Sequence, residues 1–130
     1  MITLSEIDHL PDTPNMRIAM RDDFAAVANE VRNGVTRVLH FHGAGYVALR
    51  MYTDFAGKRT LTIVGVSREE NRVKTRDVLR VINSIAQQNA ADEIITFTRF
   101  DTVGQILARN GFEKVETKWA AVVPVQKASL

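Results

Sequence analysis

The chain contains no cysteine in its 130 residues. Disulfide staples, thiol nucleophiles and cysteine-ligated zinc are therefore excluded. Three histidines, His9, His40 and His42, give little basis for a histidine-only metal site. Long hydrophobic runs are absent too. The longest, residues 119–125, contains Pro124, and a membrane span needs about 20 apolar residues. Residues 1–10 have no basic segment followed by an apolar one, so no signal peptide is expected. The expected location is a reducing cytoplasm. Charge of one sign is also lacking: 17 basic residues against 15 acidic give a net +2, too mild to argue a nucleic-acid partner from charge alone.

What is present is ordinary globular composition, 45% hydrophobic and 25% charged. The length suits one domain. Residues 1–15 read as an extended N-terminal segment. Pro11, Pro14 and Asn15 break structure there, and Ile2, Leu4, Ile7 and Leu10 are its apolar anchors. A single domain is expected from residue 16 to residue 130.

Within it, residues 16–20 read as a short strand. Asp22 or Asp23 caps a helix with Phe24, Val27, Ala28 and Val31 on one face, and Asn33-Gly34 ends it. Strand-like runs follow at 35–42, 46–53 and 60–67, joined by short turns, which implies an antiparallel meander. The third run is apolar on both faces, with Leu61 and Ile63 against Val64 and Val66, as in a central strand. The period then changes. Val78, Leu79, Ile82, Ile85 and Ala86 fall at helical spacing within 75–89. Residues 93–100 form another strand, and Asp101 or Thr102 opens a helix that Asn110-Gly111 stops. Residues 115–125 are the last strand, with Val115, Thr117, Trp119, Ala121, Val123 and Val125 on one face. The order is β-α-β-β-β-α-β-α-β. A strand–helix–strand unit from 60 to 100 implies a parallel pair with a right-handed crossover. The fold class is α+β, a mixed sheet flanked by helices. Ile63, Val64, Ile82, Ile85, Phe97 and Trp119 are expected to be buried together.

Two stretches carry a family resemblance. Ile106-Leu107-Ala108-Arg109-Asn110-Gly111-Phe112-Glu113-Lys114-Val115 resembles the closing helix, Gly-Phe and strand of the GNAT (Gcn5-related N-acetyltransferase) family. Met16-Arg17-Ile18-Ala19-Met20-Arg21-Asp22-Asp23 resembles its opening strand and capped helix. The resemblance implies a GNAT-like fold. It also implies acetyl-CoA as cofactor, its pyrophosphate held on backbone N–H groups of a glycine-rich loop at a helix N-terminus.

The chain departs from that pattern in three places. Residues 67–76 contain no glycine, and Arg72, Lys74 and Arg76 fall where the family's glycines would lie. Their side chains remain anion-site candidates, but Glu69 and Glu70 would repel a phosphate. Leu107 occupies the position where the family often places a proton-donating tyrosine. Residues 115–125 lack the turn of a terminal hairpin.

No catalytic or metal-ligating residue is assigned. Arg72, Arg76 and Arg80 recur every four residues, as one helix stripe facing a polyanion or solvent. No aromatics interleave with them, so nucleic-acid binding has weak support. His40 and His42, two apart on a strand, point the same way, which suits a metal pair, a base, or merely an exposed sheet face. Ile2, Leu4, Ile7, Leu10, Arg76 and Arg80 are the interaction candidates, through the N-terminal segment or an exposed edge at strand 35–42.

The chain also resembles small GNAT-like virion or assembly proteins of short-tailed bacteriophages, which lack the cofactor loop. That resemblance implies a non-enzymatic protein-interaction component, with no cofactor, acting in a host cytoplasm or virion on a virion or host protein. The alternatives are a small acetyl-CoA-dependent N-acetyltransferase and a phage-encoded inhibitor of a host protein.

Overall fold

The computed structural model describes residues 2–96 and 101–113. They fall into two units, divided between Arg99 and Phe100. The first unit holds a five-stranded mixed sheet in the order β1-β2-β3-β4-β5. Strands β1 (Leu4–Ile7), β2 (Arg37–Phe41), β3 (Gly45–Thr53) and β4 (Arg59–Arg68) pair antiparallel in sequence. Helix α3 (Thr75–Gln88) then returns the chain to β5 (Glu93–Thr96), parallel to β4 from Thr60↔Glu93 to Ile63↔Thr96. Meander, crossover and central β4 match the expectation. The last expected strand, 115–125, lies outside the described residues.

Residues 16–20 correct the reading. They belong to helix α1 (Pro14–Met20), not to a strand. Thr13 caps it, its Oγ1 accepting the Met16 N–H at 3.2 Å, and Pro14 sits in the first turn. Proline there loses no helical hydrogen bond and arrives with helical φ, so a residue that reads as a breaker starts the helix. Met16 and Met20, one turn apart, are both buried. A short 3-10 turn leads into α2 (Phe24–Arg32), which buries Phe24, Val27 and Val31. Gly34 at φ +75° ends α2. Its N–H reaches Val31 O and the Val35 N–H reaches Glu30 O, the paired bonds of a Schellman cap.

The N-terminal segment supplies the sheet's edge. β1 lies inside it, pairing Leu4↔Phe41 through Ile7↔Val38, so the strand expected at the edge, 35–42, is covered. Leu10 is buried, and Ile2 and Ile7 pack against the two core clusters, while Leu4 is exposed. Deleting residues 2–14 is therefore expected to lower the melting temperature sharply with no change of oligomeric state in light scattering. An unchanged melting temperature would detach the segment from the domain's stability.

Each sheet face has its own core. On one, Val78, Ile82 and Ala86 of α3 meet Phe41, Val47, Leu49, Leu61 and Ile63, with Ile85 partly buried beside them. On the other, α1 and α2 cover Val38 and Ala48, with Val64 and Tyr46 at the margin. Val64 is thus across the sheet from Ile63 and Ile82 rather than with them. Phe97 and Trp119 lie outside the described residues.

The second unit holds α4 (Asp101–Arg109). Asn110-Gly111 stops it as expected, with the Phe112 N–H on Leu107 O and the Gly111 N–H on Ala108 O. No helix among the described residues is long and apolar enough to cross a membrane.

Candidate functional site

The segment between β4 and α3 is where the anion candidates cluster. It is tied down from the β2–β3 turn. The N–H groups of Glu69 and Glu70 donate to Ala44 O at 2.9 and 3.0 Å, and that of Arg72 donates to Gly43 O at 2.9 Å. The Arg68 guanidinium reaches back to Asn71 Oδ1 at 3.1 Å and to Val73 O. The loop therefore sits on the core. A cavity of about 20 Å³ lies beside it, lined by residues such as Ala44, Ser67, Arg68 and Val78, room for about one water. A larger groove of about 600 Å³ includes Leu4, Arg37, Met51 and Ile85, toward the other end of β2 and β3.

Glu69 faces α1. Its carboxylate accepts from Ser67 Oγ, from Thr13 Oγ1 at 3.0 Å and from Asn15 Nδ2 at 3.3 Å. Asn15 also donates to Arg68 O at 2.8 Å. The Ser67 hydroxyl above all holds the Glu69 carboxyl below its ordinary value; burial is the next influence and opposes it, and Thr13 and Asn15 add smaller lowering contributions. A folded-state value below the unfolded one means that Glu69 stabilises the fold above the unfolded value, 4.5, and that this is lost as pH falls through the folded value. Glu69→Gln is expected to flatten the decline of melting temperature between about pH 5 and pH 3. Equal slopes for the two proteins would remove Glu69 from the account.

The three arginines do not form one helix stripe. α3 begins at Thr75, so Arg72 lies before it in the loop, where it pairs with Glu70 at 2.5 Å. Arg76 and Arg80 are one turn apart on α3, each 3.8 Å from Asp77, and both are exposed. Lys74 is the exposed N-cap residue, and no side chain caps the helix. The Asp77 and Val78 N–H groups take Lys74 O. Those of Thr75 and Arg76 meet no acceptor among the described residues. Two open N–H groups at the positive end of a helix, with Lys74 and Arg76 beside them, suit an anion.

The sequence pattern placed these cations but missed the loop's anchors. Gly43 and Ala44 read only as a turn, and nothing local joins Thr13 and Asn15 to Glu69. His40 and His42 do share a face, with ring centroids 4.1 Å apart. Leu107, at the expected acid position, is a half-buried residue of α4.

No family model and no curated protein matches this sequence. Solved structures do. A ribosomal-protein-alanine N-acetyltransferase from Brucella melitensis biovar Abortus 2308 superposes with a TM-score of 0.63 at 13% identity, covering 97% of this chain and 99% of that one. A predicted acetyltransferase from Clostridium acetobutylicum, solved with acetyl-CoA, gives 0.59 at 12% identity, covering 95% and 96%. A glucosamine-6-phosphate N-acetyltransferase from Arabidopsis thaliana gives 0.58 at 8% identity, covering 95% and 99%. At such identities the likeness is one of fold, and the fold is GNAT-like.

Proposed function

On that fold, we propose that the chain is a small N-acetyltransferase that takes acetyl-CoA in a modified grip. The observation that carries this reading is the start of α3, where the Thr75 and Arg76 N–H groups meet no acceptor among the described residues and the Lys74 and Arg76 side chains are exposed, Arg76 with Asp77 3.8 Å away. The residues present fit a diphosphate there, though not along the loop backbone, where the amides of Glu69, Glu70 and Arg72 are already spent. Bound acetyl-CoA supplies an acyl group activated as a thioester. Lys74, Arg76 and the helix start hold the diphosphate. The Glu70 carboxylate keeps Arg72 occupied, and Glu69 is turned away toward Thr13 and Asn15. Leu107 has no proton to give. The acetyltransferase neighbours support this reading through their fold.

A second reading is favoured by the same spent amides. A glycine-free loop carrying two carboxylates suits a GNAT scaffold that has left catalysis and serves a protein partner, as in the phage virion or assembly proteins and host-protein inhibitors considered above. One titration separates the two. With acetyl-CoA at 100 times its dissociation constant, an acetyltransferase gains about 2.7 kcal/mol of stability, visible as a rise in melting temperature. Changing Lys74 and Arg76 together to Gln is expected to weaken binding at least tenfold. No shift up to millimolar acetyl-CoA would overturn the first reading in favour of the second.

A further inference from the structure

Side chains two apart on an extended strand share a face, and here the backbone of both His40 and His42 is held. His40 lies within β2, paired on one side with Ser5 and on the other with Tyr46. His42 lies one residue past the strand, yet its N–H donates to Thr3 O at 3.0 Å, so pairing with the N-terminal segment continues through it. The turn closes at once behind it, with the Ala44 N–H on Phe41 O at 2.9 Å.

The rings are supported as well. The two imidazole centroids are 4.1 Å apart and tilted by 41°. Tyr46 stacks on His40, centroid to centroid 4.6 Å at 19°. His42 Nε2 lies 3.1 Å from Ser5 Oγ. These supports are the two cross-strand neighbours of His40, one from β1 and one from β3. Neither ring forms an ion pair among the described residues, whereas His9 sits 3.0 Å from Asp8. The pair offers two imidazole rings in a restrained arrangement.

Neutral imidazole is a ligand for the borderline divalent metals nickel, copper and zinc. Metal-bound histidines commonly have their second nitrogen held by a neighbouring polar group, as Ser5 holds His42 here. We propose that His40 and His42 form a two-imidazole site for a late first-row divalent metal ion. No third His, Cys, Asp or Glu joins them among the described residues. The ion therefore keeps open coordination positions for water or an external donor, and its affinity is that of an open surface site. The proposal does not rest on whether acetyl-CoA binds at the α3 start.

The test is calorimetric titration of the full, tag-free chain with Ni²⁺ near neutral pH. One ion per chain is expected. His40→Gln and His42→Gln should each weaken binding at least tenfold, and His9→Gln should leave it unchanged. Binding should fall away in mild acid, since protons compete with a metal ion for imidazole nitrogen. Melting curves in EDTA check that each variant is folded. Where one is not, the wild-type chain answers through Cu²⁺ broadening of its histidine ring signals in NMR. His40 and His42 broadening before His9 supports the site. Wild-type affinity no greater than that of the His40/His42 double variant, or His9 broadening first, overturns it.

Discussion

Replacing Ile82 with alanine is expected to destabilise the fold by about 2–5 kcal/mol, measured by urea unfolding. Ile82 is the most completely enclosed residue of α3, at 1% exposure. With Val78 and Ala86 it forms the i, i+4, i+8 face that covers β2, β3 and β4. Removing three carbons loses their transfer free energy and leaves a cavity between helix and sheet. The neighbours Phe41, Leu61 and Ile63 are fixed in paired strands, so collapse into that cavity is limited. The exposed Asn83, next along the same helix, gives the control: Asn83→Ala should change stability by less than about 0.5 kcal/mol. A cost below about 1 kcal/mol at Ile82 would mean that α3 is not seated on the sheet as described.

The second large effect is expected at Gly45, where alanine should cost more than about 3 kcal/mol or prevent folding. Gly45 starts β3 opposite Arg68, at φ +147°, a conformation that residues with a Cβ rarely adopt. An added methyl would overlap the Ser67 carbonyl oxygen and lie 2.9 Å from the Glu69 nitrogen. Both are backbone atoms; the Glu69 nitrogen is held by its bond to Ala44 O and Ser67 by its pairing with Tyr46 across β3 and β4, so neither can yield without loosening the loop before α3. Gly65→Ala is the contrast. Its methyl meets only the tip of the Met20 side chain, which has three rotatable bonds with which to move aside. The Gly65 variant should therefore fold with a smaller loss. Equal losses at the two glycines would show that side-chain crowding, not backbone collision, sets the effect at Gly45.

These two sites differ in how visible they were beforehand. Ile82 was legible because helical periodicity is a short-range property: Val78, Ile82, Ile85 and Ala86 mark the buried face without reference to the rest of the chain. The meander was legible for a related reason, since β2, β3 and β4 are joined by turns too short for any other pairing. So was β4 as the central strand, from apolar residues on both its faces. So, too, was the Gly34 stop of α2. The cations at the start of α3 were visible, and the absence of glycine beside them was plain.

Residues 16–20 read equally as strand or helix because five residues hold less than one and a half helical turns. A Met16–Met20 pair fits a helix face and a strand face equally, and the Thr13 cap and buried core decide between them. β1 was hidden because an edge strand of four residues, three of them exposed, has no alternation to display. It exists because the chain from Thr3 to Ile7 finds the open side of β2, more than thirty residues away. The expected arginine stripe failed at Arg72 because the carbonyls of Gly43 and Ala44 hold the loop and delay the helix to Thr75. The shared face of His40 and His42 followed from strand geometry, but the Ser5 and Tyr46 supports came from register. By itself the sequence determined the features set by neighbours within a few residues: periodicity, caps, short turns and local charge. The tertiary structure alone decided which backbone N–H groups are spent and which are free, because a hydrogen bond across the sheet depends on which distant strand arrives opposite it.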